Sequence, residues 1–256
     1  MRRQLLELLP KVLLSRLTGR LTRLPLPRGL RPRVHGWFAR RYGCDLAEVA
    51  GDLADFGSLA AFFQRPLRVS ARPLGQGPLV WPCDGRIVTC GPIAAQRIPQ
   101  VKGQDYELGE LLGDAALAVP LAGGSQATIY LAPGDYHRVH SPFAAEFVPP
   151  RHIPGALFPV NPKAVRCVPR LFARNERMVF PARLADGRAA VVVMVAALNV
   201  GDIQVAAPLP GPLAKGQELG RFGFGSTVVV VVGPGGAGFA DIAPETTVRC
   251  AADLPA

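Results

Sequence analysis

Five consecutive valines, Val228 to Val232, constrain what this chain can fold into more than any other feature. β-Branched side chains are stiff at χ1 and pack well on a pleated surface. An unbroken apolar run of that length suits a strand buried on both faces. It falls far short of the roughly 20 residues needed to cross a bilayer. Ile129 to Leu131 and Ala189 to Leu198 also read as strands. Between such runs the texture is turn-like: 28 glycines and 26 prolines in 256 residues favour many short strands over a helical bundle. At 49% hydrophobic and 19% charged, the chain is globular and long enough to bury a substantial core.

The formal net charge of +10 suggests a nucleic-acid partner until it is located. Residues 1–41 hold eleven Lys/Arg and one acid, Glu7, whereas the rest of the chain holds eighteen of each sign. The excess sits on one N-terminal arm, and nucleic acid is not expected. On a helical wheel Leu5, Leu6, Leu9, Val12, Leu13 and Leu17 share an apolar arc, with Gln4, Glu7, Lys11, Ser15 and Thr18 opposite. Pro10 should kink or restart this helix. The pattern is not a secretory signal, because Pro10, Lys11 and Arg16 interrupt the apolar stretch and no small-residue cleavage site follows. Two readings fit: a segment lying in a membrane interface rich in anionic lipid, or a helix packed on its own domain with a solvated basic face. A polar stretch from Pro25 to Arg33 ends the arm, and residues 44–63 read as one or two short helices. The expected class is α+β: a helical, basic region over 1–64, then a β-rich domain over 65–256 that carries the candidate chemistry.

Cys44, Cys83, Cys90, Cys167 and Cys250 are odd in number and form no CxxC pair, which disfavours a zinc site or a disulfide framework. Of four histidines, His137 and His140 lie together in YHRVHSP, and Pro133-Gly134 before and Pro142 after favour a turn. Imidazole is the side chain best suited to proton transfer near neutral pH. Two histidines in a loop are also common as hydrogen-bonded packing. Asp84 in PCDG reads by itself as an ordinary turn aspartate, and Ser226 in FGST as a glycine-serine turn leading into the valine strand. A lone Asp, His and Ser make a weak triad, since triads are defined by geometry and not by order.

The blocks together are more specific than the parts. RPLR (65–68), WPCDGRI (81–87), KGQDYELGELL (102–112), YLAPGDYHRVHSP (130–142), GALFPVNPKAV (155–165), LFARNERMV (171–179), VAALNVGDI (195–203) and KGQELGRFGFGSTVVV (215–230) run in order along the chain. In these blocks, LFARNER and the Gly-Ser-Thr junction above all, the sequence resembles the phosphatidylserine decarboxylases. That resemblance extends to the arm, since these enzymes begin with membrane-associated amphipathic helices.

The resemblance implies a precursor that cuts itself between Gly225 and Ser226, giving a β-chain of 1–225 and an α-chain of 226–256. Asp84, His140 and Ser226 match the family's self-cleavage triad, and His137 matches the histidine assigned to decarboxylation. Ser226 would become a pyruvoyl group that forms a Schiff base with phosphatidylserine and releases phosphatidylethanolamine and CO2. No metal is implied. The implied partners are the lipid substrate, an anionic membrane surface, the enzyme's own two chains and further copies in a homo-oligomer. The implied location is peripheral, on the cytoplasmic face of the cell membrane. Three rivals stay open on the residues alone: a serine hydrolase using the same three side chains, a non-enzymatic membrane-binding β-domain, and a pyruvoyl decarboxylase of a soluble amino acid. GFGST lacks the G-x-S-x-G elbow, which weighs against the hydrolase.

Overall fold

The computed structural model describes residues 11–100, 104–198, 203–206, 208–223 and 226–255. Its strands in chain order are β1 (Gly85–Pro92), β2 (Arg97–Gln100), β3 (Gln104–Glu107), β4 (Ser125–Leu131), β5 (Arg138–His140), β6 (Ala145–Phe147) and β7 (Arg151–Ile153). They continue with β8 (Arg177–Leu184), β9 (Ala189–Ala196), β10 (Ile203–Val205), β11 (Gly211–Leu213), β12 (Glu218–Phe222), β13 (Ser226–Val232) and β14 (Thr247–Val248). The main sheet runs β11-β6-β8-β9-β13-β4-β1-β14, with β7 also paired to β8, and its pairings are antiparallel. The valine strand is central. It pairs along its whole length with β4 on one side and β9 on the other, and every residue of it is buried. The expected strands are therefore present, with Ile129 to Leu131 as the end of a longer β4 and β9 stopping at Ala196.

A small sheet, β10-β12-β5, lies against the main one. Gly220 in β12 makes the approach possible, because a Cβ there would collide with the Gln204 carbonyl and crowd Met194 of β9. The LFARNER block supplies buried polar ties. Arg177 donates to the carbonyls of Leu111, Asn175 and Glu110 at 2.6, 2.8 and 2.8 Å. Asn175 donates to the carbonyls of Phe158 and Ala196, both at 2.9 Å, and accepts from the Phe158 N–H at 3.0 Å. Ala196 is the β9 partner of Ser226, so Asn175 braces the strand end beside that serine.

The N-terminal layer contains α1 (Lys11–Arg23), α2 (Arg31–Tyr42) and α3 (Leu59–Phe63). Residues 44–63 hold a 3-10 turn at Leu46–Glu48 as well as α3, which agrees with one or two short helices. The sequence pattern did not single out α2. Basic residues dominate its composition, yet Pro32 at its start and left-handed Gly43 at its end are ordinary helix boundaries. Its inner face buries His35, Phe38 and Ala39, and the His35 ring stacks on Phe62 at 4.9 Å. Leu5, Leu6, Leu9, Gln4, Glu7 and Pro10 lie outside the described residues, as do the side chains of Lys11, Val12 and Leu13. Ser15, expected on the polar side, is buried, so the arm's polar face is not wholly solvated. Leu17, expected on an apolar face, is 53% exposed, and Leu21, Leu24, Leu30 and Trp37 join it on the surface. Among the described residues, no helix is long and apolar enough to cross a membrane.

Candidate active site

Ser226 opens β13, with Leu131 and Ala196 as its neighbours across the sheet. It is fully buried, and among the described residues its hydroxyl has no hydrogen-bond partner, nor has that of Thr227 beside it. Buried hydroxyls are normally paired, so two unpaired ones side by side at a strand terminus are unusual. Gly225, the other half of the expected junction, lies outside the described residues.

The chain leaving β4 turns back through Ala132 to Tyr136 and carries both histidines. Asp135 closes this turn by accepting the Ala132 N–H at 2.6 Å. Gly134 must lack a side chain, because a Cβ would run into the Tyr42 carbonyl at the end of α2. Arg138 to His140 then form a strand paired with β12, and not the turn expected from the flanking prolines. Pairing to β12 overrides the local turn signals, and it gives the two imidazoles different surroundings.

His137 is fully buried, with its ring 3.9 Å from that of Phe63 at the end of α3. Its Nδ1 donates to the Asp135 carbonyl at 2.9 Å. A carbonyl only accepts, so this bond places the proton on Nδ1 and leaves Nε2 as a bare acceptor. That Nε2 is buried and has no partner among the described residues. Burial, aided by the nearby Arg65 cation, pushes the ring's pKa down to about 3, so it is neutral at physiological pH. His140 donates from Nδ1 to the Gly216 carbonyl at 2.8 Å, and its Nε2 accepts the Tyr136 hydroxyl at 3.0 Å. Burial lowers its pKa as well, while the charges of Glu218 and Asp84 act in the opposite direction.

Asp84 does not hydrogen-bond either imidazole. Its Oδ1 accepts the Cys250 N–H at 2.8 Å and Arg72 Nε at 2.9 Å, and its Oδ2 accepts Arg72 Nη2. Arg72 also bonds Glu48 at 2.9 Å; these two carboxylates hold its charge in place against the desolvation that opposes it. The expectation that Asp84 contacts one histidine is thus corrected. The carboxylate is committed to an arginine and a backbone donor, and it reaches His140 only through its field.

Of the expected residues, His140 and Asp84 border two adjoining clefts, whereas His137 and Ser226 line neither. One, of about 210 Å³, is bordered by His140, Tyr136, Gly216, Arg68, Arg72 and Lys215, with no acid in its lining. The other, of about 200 Å³, brings together Asp84, Asp135, Glu48, Arg65, Arg72 and Arg249. Sequence reasoning missed Arg65, Arg72 and Tyr136. Arg65 and Arg68 share one short block, yet Arg65 is buried and Arg68 exposed, and no pattern in the sequence separates them.

Comparison with known proteins identifies a family. The phosphatidylserine decarboxylase family profile matches residues 59–254. The phosphatidylserine decarboxylase proenzyme of Anaeromyxobacter sp. (strain K) is 45% identical, over 90% of this chain and 88% of the relative. The proenzyme of the same description from Pseudomonas aeruginosa strain PAO1 is 44% identical, over 91% and 89%. That of Halorhodospira halophila is 43% identical, over 91% and 86%.

Proposed function

The chain belongs to the phosphatidylserine decarboxylase family, a family of carboxy-lyases made as proenzymes, and on that premise we propose how its own residues mature it and serve the reaction. The chain cuts itself between Gly225 and Ser226. Ser226 Oγ attacks the Gly225 carbonyl carbon, the peptide C–N bond breaks, and an ester to Oγ replaces it. The hydroxyl proton passes through His140 Nε2 to the departing amine nitrogen. His140 must exchange the Tyr136 hydroxyl for that of Ser226 to do so, and the charge of Asp84 favours the imidazolium that forms. Loss of the Cα proton of residue 226 then expels the Gly225 carboxylate and leaves a dehydroalanine, which takes up water to give a pyruvoyl group and ammonia.

What supports the reading most is the Ser226 hydroxyl, buried and unpartnered at the head of the central strand. A keto group at that position needs no donor from water and sits where the sheet holds it rigidly. A pyruvoyl group supplies an electron sink for the pair released when CO2 departs. His137, with its bare Nε2, is the residue we assign to proton transfer in turnover, where charge developing on the substrate offsets the burial that otherwise keeps the ring neutral. Arg68, Arg72 and Lys215 line the neighbouring cleft and favour an anionic substrate, which we take to be phosphatidylserine, converted to phosphatidylethanolamine and CO2. The exposed leucines of the arm, set among Arg20, Arg23 and Arg28, are the surface we assign to anionic membrane, with the enzyme peripheral on the cytoplasmic face. Denatured intact mass tests the maturation: active protein should be two chains, the smaller with a blocked N-terminus at position 226. A fully active preparation of the uncut 256-residue chain would sink it.

A further inference from the structure

We propose that Arg65 is the positioning residue for His137: its guanidinium grips the turn from beneath and fixes the one carbonyl that sets the tautomer of the His137 ring. The inference rests on the reading of His137 as the residue that serves decarboxylation.

Arg65 is 3% exposed, an unusual place for a cation that no carboxylate bonds among the described residues. Its Nη2 donates to the carbonyls of Gly134 at 2.6 Å and Asp135 at 3.1 Å. The Asp135 carbonyl is also the acceptor of His137 Nδ1. One oxygen therefore receives both the guanidinium and the imidazole, and moving the first displaces the anchor of the second. The guanidinium carbon lies 5.4 Å from the centre of the Phe62 ring, and the next residue along, Phe63, carries the His137 ring on its own. The segment Phe62–Arg65 thus holds the histidine by its ring face and by its carbonyl anchor together.

The remaining donors of Arg65 point the same way. Its Nε and Nη1 are buried with no partner among the described residues, as is His137 Nε2. A residue kept for packing would shed such unmet groups, since an apolar side chain of similar volume fills the space without them. The cation also stands near enough to His137 to oppose its protonation. Arg65 does not serve as the carboxylate anchor in this scheme, because stabilising a carboxylate that must leave as CO2 would slow its loss.

The test uses the full chain with histidine rings labelled with nitrogen-15, and a His137→Gln sample to assign the His137 signals. In native protein His137 should show one protonated nitrogen, Nδ1, and one bare nitrogen, Nε2. Arg65→Met should move both signals toward the average of the two tautomers. In the matured variant kcat should fall about tenfold or more with KM within about twofold, the mark of a misplaced group rather than lost binding. Arg65→Gln, neutral and shorter, should shift both readouts in the same direction, and it decides the matter if Arg65→Met does not accumulate. An unmoved tautomer with native kcat in the variant that folds overturns the proposal and leaves the decarboxylase reading standing. Native protein that fails to decarboxylate phosphatidylserine overturns that reading instead, and with it the part played by His137 in turnover, while the tautomer shift still reports the Arg65 contact.

Discussion

Val230 and Leu21 are both aliphatic, both lie in regular secondary structure, and their surroundings are opposite. Val230 is fully buried between two partner strands and two packed faces. Leu21 is 58% exposed on a helix whose neighbours include Arg20 and Arg23. The sheet is complete in itself. The helical layer has only a small core of its own, around Phe38, Phe62 and Phe63, and turns Leu17, Leu21, Leu24, Leu30 and Trp37 outward among arginines. Such a surface is incomplete in water and complete against a lipid headgroup layer, where apolar residues insert and cations meet phosphate. Yet the inner side of that layer, through Phe63, Gln64 and Arg65, holds the turn that carries the histidines. One layer therefore presents exposed leucines among arginines on its outside, the surface proposed above for anionic membrane, and packs against the histidine turn on its inside.

The sharpest way to break this division is to ask which changes stop the chain from cutting itself. Ser226→Ala should abolish cutting completely by intact mass, and Asp84→Ala and His140→Ala should leave uncut precursor. A double Leu17→Asp, Leu21→Asp change should cut like the native chain but lose binding to anionic vesicles in a flotation assay. If the leucine variant stays uncut, the outer face is part of the maturation machinery and the division fails. Next in size, His137→Ala should mature normally and lose on the order of a hundredfold in kcat. An uncut His137→Ala beside a mature His140→Ala would exchange the two roles.

Stability should divide along the same line. Val230→Ala should cost about 2 kcal/mol in denaturant unfolding, because it removes buried methyls where both sheet neighbours are fixed. Val69→Ala, at a position 99% exposed, should stay within about 0.5 kcal/mol. Acid probes the histidine side of the same division. Folded His137 resists protonation until about pH 3, whereas the unfolded ring takes a proton near the ordinary imidazole value of 6.5. Acid therefore favours the unfolded chain. Stability should be full above pH 6.5 and fall toward pH 3 by about 1.4 kcal/mol per unit for this group. His137→Gln should flatten that slope.

The sheet was legible because the valine run has a single physical solution, and β9 and β4 follow from the same apolar, β-branched texture. Of the candidate site, the nearness of Asp84 and His140, which border adjoining clefts, was legible too, though His137 and Ser226 line neither. Contacts between side chains were not. Nothing in the sequence says that Arg72 and not a histidine binds Asp84, because Arg72 comes from an irregular segment whose path is set by long-range packing. Likewise the turn signals around His140 were real, but pairing with β12, some eighty residues later, won. Helix α2 hid behind its own arginines, since its apolar inner face is only a few residues wide.

The position of β13 has one more consequence. A cut before Ser226 places the new end at the head of a strand that is bonded on both flanks by seven residue pairs each. Farther along, β14 of the same segment pairs with β1, and the Asp253 carboxylate accepts the N–H groups of Gln76 and Gly77. The severed piece is thus woven through its parent rather than resting on it. Such a cut would change the covalent connectivity without creating a subunit free to leave, and the two products should fold and unfold as a single body. Exchange between differently labelled molecules should accordingly be no faster than global unfolding.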